Sequence, residues 1–199
     1  AAQQNYRFVF LPTSATRRYH DFDNERFDLM FFESPHWGWQ DRHVVSLLGP
    51  PVGGEVFVAQ SRPGRDQSYF ADREDKRVAV FSGYHYHFAD YNPSKQYLRR
   101  EHNAIITFSQ ESSLQMLLRE RVELAVIPQA FLERYLNENP QYRSQLLIAS
   151  EPDQYYRHIL IKRKLSEPKL AYMTQLLDRL EEEGKMQRLL VRYGLLGSN

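Results

Sequence analysis

The sequence predicts an α/β protein of two lobes with mostly parallel sheets. Short apolar runs, such as those at 77–81 and 104–108, are typical of strands that are buried on both faces. Between these runs apolar residues recur at helical spacing, as Leu114, Leu117 and Leu118 do. Strands that alternate with helices favour parallel pairing, because each helical crossover returns the chain to the same end of the sheet.

Two lobes are predicted from the way the chain is divided. A polar connector at 61–76 leaves the first lobe, and a strand at 158–162 brings the chain back before a purely helical tail. We therefore expect lobe one to comprise 1–59 and 158–199, and lobe two to comprise 60–157.

The individual elements follow from the apolar spacing and from the residues that interrupt it. Ser109 is a predicted helix N-cap, and Gly184 separates the last two helices. The segment 35–51, which holds both tryptophans, is predicted to be irregular. The predicted strands are 6–11, 27–32, 55–60, 77–81, 104–108, 123–127, 145–149 and 158–162. The predicted helices lie within 13–24, at 84–91, before Glu101, and at 109–118, 131–136, 170–180 and 186–193.

Composition excludes several functions. Lys and Arg number 26 and Asp and Glu 25, so the net charge is +1 and no basic surface for nucleic acid is expected. The chain has no cysteine, which excludes disulfides and thiolate chemistry. The apolar runs fall far short of the roughly 20 residues that span a bilayer, so no membrane insertion is expected. His85 and His87 would point to different faces of a helix, so neither a metal site nor a cofactor is expected.

Four segments, in order along the chain, carry a resemblance to a known family. Residues 27–30 (FDLM) are similar to a family strand that has one aspartate among apolar residues. Residues 75–84 are similar to the motif L-x-G-K-x-V-A-V-x-x-G-[ST]. Residues 112–126 are similar to A-L-x-x-G-x-V-D-A, and 176–195 to L-x-x-L-x-x-D-G-x-x-x-x-I-x-x-K-Y-G. Their order and spacing resemble the family 3 periplasmic solute-binding proteins, the type II binding proteins whose best-known members bind amino acids.

The resemblance implies a periplasmic binding protein rather than an enzyme. Such a protein closes its two lobes on a small polar ligand, an amino acid or a related compound, and here the hinge is expected near 57–60 and 156–160. It delivers the ligand to the membrane subunits of an ABC transporter, or senses it. The opening residues, Ala1-Ala2-Gln3-Gln4, suit a chain from which a signal peptide has been removed.

Two departures from the family pattern concern lobe one and the ligand. The family's opening strand, turn and helix are not found, so about 40–60 residues are expected to be missing from the sequence, or lobe one is reduced. Pro128 stands where amino-acid binders often carry the aspartate that holds the ligand's ammonium group. Glu123 matches a strand aspartate that serves the fold. Classical amino-acid recognition is therefore not implied.

Two strand-to-helix turns supply the first candidate ligand contacts. In this fold the ligand lies between the lobes, at the carboxyl ends of strands and the N-termini of helices, where free backbone N–H groups attract anions. Ser82, Gly83 and Tyr84 form one such turn, and Ser109 and Gln110 begin the other. A tight turn alone explains Gly83, and capping alone explains Ser109.

The segment 33–42 supplies the remaining candidates. Trp37 and Trp39 suit stacking on a ligand, and Arg42 is the nearest match to the family's carboxylate-binding arginine. The alternative is that both tryptophans fill the core of lobe one. Arg17 and Arg18 are weaker candidates for the carboxylate.

Two other functions remain open from the sequence. An enzyme on the same scaffold would need a carboxylate or histidine with a shifted pKa in the cleft, and Glu33, His36 and Glu111 are its candidates. The chain is alternatively the sensor portion of a larger signalling protein.

Overall fold

Two β-sheets with helices packed on them make up the structure, a computed structural model that describes residues 7–49, 53–162 and 167–193. The strands are β1 (Leu29–Glu33), β2 (Val44–Leu48), β3 (Gly54–Gln60), β4 (Val78–Phe81), β5 (Ala104–Thr107), β6 (Leu124–Pro128), β7 (Leu146–Ile148), β8 (Gln154–Tyr155) and β9 (His158–Lys162). The α-helices are α1 (Arg18–Asp23), α2 (Lys95–Glu101), α3 (Gln110–Leu118), α4 (Gln129–Glu138), α5 (Glu167–Glu182) and α6 (Lys185–Arg192). The α/β class is confirmed.

The smaller sheet has the strand order β1-β9-β2 and is antiparallel throughout. Successive residues of β9 point to opposite faces, as in any strand. On one face Leu160 therefore packs with Phe22 of α1 and with Trp39. On the other face Ile159 and Ile161 pack with Met173 of α5. We call this sheet with α1, α5 and the loop 34–43 the smaller lobe.

The larger sheet has the order β5-β4-β6-β3-β7, and β8 pairs with β3. Both of its faces are covered: Val56 and Val58 pack beneath α3 and α4, and Phe57 and Ala59 pack on the opposite side with Tyr86. This double burial explains why the strand sequences are continuously apolar. We call this sheet with α2, α3 and α4 the larger lobe.

The sheets are mixed, which corrects the expectation of mostly parallel pairing. Parallel pairing joins β4 to β5 and to β6, where helical crossovers connect the strands. The other pairings are antiparallel, because β3 runs against β6, β7 and β8, and β9 runs against β1 and β2. Strand β3 lies in the larger sheet, where residues 55–58 pair with β6 and residues 58–60 pair with β7. The lobe boundaries at 59–60 and 157–158, and the hinge, stay predictions.

Three local predictions need correction. No strand forms at 7–11, where Phe10 is exposed and no described strand lies alongside; Tyr6 lies outside the described residues. Strand β2 was not predicted, because its only strand partner, β9, lies far along the chain. The helix predicted at 84–91 is reduced to a 3₁₀ turn at His87–Ala89, since Asp90 and Tyr91 have positive φ angles.

The described residues form neither a membrane-spanning helix nor a metal-binding cluster. Among them no helix is long and apolar enough to cross a bilayer. The same residues contain no group of three or more His, Asp or Glu side chains placed to hold a metal ion.

The two lobes touch closely at Gly83. This residue has a φ of +83°, and a Cβ atom built on it would lie 2.5 Å from Cγ2 of Thr16, just before α1. A side chain here would therefore be strained by the left-handed backbone and by contact with the other lobe.

Replacing Gly83 by alanine is expected to lower the free energy of unfolding by about 2–4 kcal/mol, from the φ strain and the overpacking against Thr16. Gly64 is the matched control, because its φ is +75° and its Cβ would meet nothing within 4 Å. The G64A variant should lose only about 1–2 kcal/mol in urea unfolding. Equal losses in the two variants would contradict the contact between lobes.

Candidate functional site

A cavity of about 500 Å³ lies between the two lobes. Its volume is in the range of sites for small molecules. Its wall combines an apolar part with polar, charged and aromatic side chains, of which Arg18, Glu33, Trp37, Glu55 and His85 are buried. The apolar part is formed by Ala15, Met30, Phe32, Phe81 and Pro128, and the rest by Thr13, Ser14, Arg18, Glu33, Trp37, Glu55, Tyr84, His85 and Tyr156.

On the side of the larger lobe, the cavity is formed by residues at the ends of strands. Phe81 and Pro128 end the parallel strands β4 and β6, so both lie at the same edge of the sheet. Glu55 is directly paired with Pro128 in antiparallel register and therefore reaches that edge as well. Across the cavity, Glu33 ends β1 and Arg18 begins α1. The edge of an open α/β sheet is where ligands generally bind in such folds.

Arg18 and Glu33 form a buried ion pair in the cavity wall. Arg18 is 6% exposed and Glu33 is 2% exposed, and Nη1 lies 3.2 Å from Oε1. Trp39 donates its indole N–H to Oε2 of Glu33 at 2.8 Å. Burial raises the pKa of the Glu33 carboxyl, and the Arg18 charge opposes that rise. Nε of Arg18 is buried and has no hydrogen-bond partner among the described residues.

Glu55 is buried without a cationic partner. It is 1% exposed, and none of the ion pairs found in the described part of the chain includes it. One carboxylate oxygen, Oε2, accepts a hydrogen bond from Nε2 of Gln154 at 2.6 Å. Burial raises the pKa of Glu55 to about 8, because the ionised form has lost its water.

Gln154 joins the two lobes at the back of the cavity. Its Oε1 accepts the indole N–H of Trp37 at 2.8 Å, while its Nε2 donates to Glu55 and to the backbone carbonyl of His85. The amide is buried, so each of these hydrogen bonds is made away from water and is costly to lose.

His85 adds a second unpartnered polar group. It is 5% exposed, and its Nδ1 is buried with no hydrogen-bond partner in the described structure. Burial and, to a smaller extent, the charge of Arg18 lower the pKa of His85 to about 4. The ring is therefore neutral at neutral pH and offers one donor and one acceptor nitrogen.

The structure brings only part of the predicted segment 33–42 to the cavity. Trp37 lines the cavity, whereas Trp39 is 1% exposed and lies behind Glu33 in the smaller lobe's core. Arg42 does not line it: its guanidinium donates to Asp23 at 3.1 and 3.0 Å and to the Gly38 carbonyl. The arginine in the cavity is Arg18, the weaker candidate, while Arg17 is exposed and pairs with Asp21.

Of the two predicted turns, only the first reaches the cavity. Tyr84 lines the cavity, while Ser82 and Gly83 lie in the turn before it, with Gly83 against Thr16. Ser109 is exposed and accepts the backbone N–H of Ser112, so it caps α3 as predicted. Gln110 lies outside the cavity wall, and its side chain acts on the phenol of Tyr84: burial raises the pKa of that phenol, and the Gln110 side chain opposes the rise.

Of the three residues considered for catalysis, only Glu33 lines the cavity. His36 is exposed and stacks on Tyr91 with ring centroids 5.0 Å apart, and Glu111 is exposed in the first turn of α3.

Five polar residues of the cavity were not predicted as ligand contacts from the sequence: Thr13, Ser14, Glu55, His85 and Tyr156. The available signal for Glu55 was a carboxylate at the start of an otherwise apolar strand, EVFVA. Such a charge is rarely buried without a functional or pairing reason. His85 and Tyr156 lie in irregular segments, so spacing gave no signal for either one.

The Glu55→Gln substitution is expected to change how stability depends on pH. Between pH 4.5 and 8 the native state holds a proton on Glu55 that the unfolded chain has released, so the free energy of unfolding falls as pH rises. The limiting slope is about 1.4 kcal/mol per pH unit. His85 acts in the opposite sense between pH 4 and 6.5, so the fall is clearest from pH 6.5 to 8.

Urea unfolding at several pH values checks this expectation. E55Q should remove the fall between pH 6.5 and 8. The control is E123Q, because hydrogen bonds from Arg77 lower the pKa of Glu123 to about 2, so this group does not titrate in that range. A fall that persists unchanged in E55Q would show that Glu55 is not the group responsible.

No family model and no curated protein matches the chain. A binding component of an ABC transporter from Wolinella succinogenes, complexed with lysine, matches with a TM-score of 0.67 and 14% identity, over 94% of this chain and 78% of that one. The GluR0 ligand-binding core from Nostoc punctiforme with L-glutamate matches with a TM-score of 0.63 and 17% identity, over 90% and 79%.

A third solved structure is an ancestral arginine-binding protein bound to arginine. It matches with a TM-score of 0.62 and 14% identity, over 94% of this chain and 80% of that one. Identities this low establish a shared fold and leave the ligand open. The chain therefore has the fold of the type II periplasmic binding proteins, which confirms the resemblance that its sequence indicated.

Proposed function

We propose that this chain is a periplasmic solute-binding protein that closes its two lobes on a small polar ligand, an amino acid or a related compound. The observation that carries the proposal is the cavity between the lobes, whose wall holds two buried polar atoms, Nε of Arg18 and Nδ1 of His85, that have no hydrogen-bond partner in the described part of the chain. Buried polar groups are nearly always hydrogen-bonded, so these two atoms are suited to ligand contacts.

Contacts across the cleft support a binding role that depends on closure. Trp37 reaches Gln154, His36 stacks on Tyr91, and Gly83 lies against Thr16, so each contact joins the smaller lobe to the larger. Such contacts form only when the lobes are together, and a ligand that touches both lobes would favour that arrangement.

The proposed ligand contacts combine predicted and newly found residues. Trp37, Tyr84 and Tyr156 supply aromatic walls, and Arg18 and His85 supply hydrogen bonds. Trp39 and Arg42 act behind the wall, Trp39 through Glu33 and Arg42 through the Gly38 carbonyl that precedes Trp39. A role for Ser82, Gly83, Ser109 and Gln110 in closure or ligand contact remains part of the proposal.

Transport or sensing is the physiological role that this binding would serve. Several proteins of the same fold are described as binding components of ABC transporters, one of them complexed with lysine and another an amino-acid transporter's substrate-binding protein. We propose that this chain likewise either delivers its ligand to ABC transporter membrane subunits or reports its presence.

A thermal-shift screen of amino acids, polyamines and small carboxylates tests the proposal. A ligand present at a hundredfold excess over its dissociation constant should stabilise the protein by about 2.7 kcal/mol, since it binds only the folded state. Tyr156→Ala, which removes a cavity wall, should weaken the binding of that ligand at least about tenfold, or 1.4 kcal/mol.

Tyr155→Ala is the matched control, because the neighbouring ring is 59% exposed and lies outside the cavity wall. It should leave the affinity unchanged. The absence of any stabilising compound, or equal losses of affinity in the two variants, would contradict a binding site in this cavity.

A further inference from the structure

The charges in the cavity wall balance only while the Glu55 carboxyl is protonated. Arg18 and Glu33 neutralise one another at 3.2 Å, which leaves Glu55 as a carboxyl with no cation beside it among the described residues. Its protein partner is the side-chain amide of Gln154, which supplies a hydrogen bond but no charge. A buried carboxylate without a counter-charge is unfavourable, so ionised Glu55 would need one positive charge that these residues do not supply.

The two oxygens of Glu55 are in different situations. Oε2 accepts the hydrogen bond from Gln154, and no described group donates to Oε1. Glu55 lines the cavity, and its strand partner Pro128 brings neither charge nor an N–H group to this edge. One carboxylate oxygen is therefore available to a ligand.

Aromatic rings complete the surroundings of this carboxyl. Tyr84, Tyr156 and Trp37 line the same cavity, and the rings of Trp37 and Tyr156 lie 5.7 Å apart. Ring faces attract cations, most strongly where water is excluded. A carboxylate beside several rings is thus a suitable environment for a positively charged nitrogen that carries apolar groups.

We propose that Glu55 binds a positively charged nitrogen of the ligand, so that the cavity takes a small organic cation whose oxygen atom accepts a hydrogen bond from Arg18. This assignment rests on the proposed binding function. Nε of Arg18 is its only unpartnered nitrogen and needs an acceptor, which a hydroxyl, carbonyl or carboxylate oxygen provides. The apolar part of the ligand packs against Met30, Phe32 and Phe81.

Proton release accompanies binding under this proposal. The pKa of Glu55 is raised to about 8, so at pH 7 the carboxyl is mainly protonated and must lose its proton to the buffer when the cation binds. The other charged or titratable groups around it are Arg18, Glu33, His85 and Asp153, with the phenols of Tyr84, Tyr86 and Tyr156. Asp153 is already bound by the backbone N–H groups of residues 87 and 88.

Two pairs of matched compounds test the assignment by titration calorimetry at pH 8. L-Arginine and L-citrulline have nearly the same shape and differ in charge, as do choline and 3,3-dimethyl-1-butanol. In at least one pair the cation should bind at least about tenfold more tightly than its neutral partner. Its affinity should then fall by up to about tenfold per pH unit below pH 8, with uptake of the released proton by the buffer.

Two variants separate charge recognition from stability. Glu55→Gln keeps the shape and the link to Gln154, and it should remove both the preference for the cation and the proton release. Glu123→Gln, far from the cavity, should preserve both. The comparison of matched compounds on the wild-type protein needs no variant, so a poorly folded E55Q would not prevent the test.

The outcomes distinguish this inference from the proposed function. Equal binding of the charged and neutral partners, or ligand binding whose affinity and proton release are unchanged in E55Q, would overturn the role of Glu55 and leave a solute-binding protein. Failure of all compounds of every charge to bind would overturn both.

Discussion

The buried ionisable groups between the lobes are the constraint on which the rest of the site depends. A charge taken out of water must be paired or neutralised, and each solution fixes neighbouring side chains. Arg18 and Glu33 pair with one another, which also orients the Trp39 indole. Among the described residues, the Glu55 carboxyl is hydrogen-bonded by the Gln154 amide alone, and that amide in turn holds Trp37 of the other lobe. Satisfying these groups therefore links the lobes and shapes the cavity at the same time.

The directions of the strands bring these buried ionisable groups together in the cleft. Parallel strands β4 and β6 end at the same edge of the larger sheet, and the antiparallel β3 begins there, so Glu55 lies beside the ends of its neighbours. The smaller sheet contributes the end of β1 and the start of α1. Residues that are distant in the sequence thus meet in a cleft, where exclusion of water strengthens every electrostatic contact.

Local patterns in the sequence were sufficient to predict the strands and helices of much of the larger lobe. The β4–β6 region has short apolar strands and a capped helix α3, so its elements were predicted nearly residue by residue, and Ser109 caps that helix as expected. The smaller lobe depends on pairing between distant segments, which explains why β2 was missed and why no strand forms at 7–11. Aromatic spacing at 84–91 resembled a helix, although the positive φ angles of Asp90 and Tyr91 prevent one.

The candidate site was predictable only in part, for a related reason. Trp37 and Tyr84 were found because unusual residues follow predicted strands, and both line the cavity. Arg42 was preferred to Arg18 by its place in the sequence, yet its guanidinium pairs with Asp23 outside the cavity. Which of two arginines meets a cavity depends on tertiary packing, which no local pattern encodes. The importance of Glu55 likewise appears only when it is known that the described residues give it no cationic partner.

Direct titration of the Glu55 carboxyl tests this account most simply. Carbon-13 NMR of the glutamate side-chain carboxyls, with the Glu55 resonance assigned from its loss in E55Q, would follow protonation in the ligand-free protein and with excess L-arginine or choline. The account predicts a midpoint near pH 8 without ligand and a lower midpoint with the bound cation. A midpoint near 4.5 in the ligand-free protein would contradict it, because Glu55 would then be ionised without needing a cation.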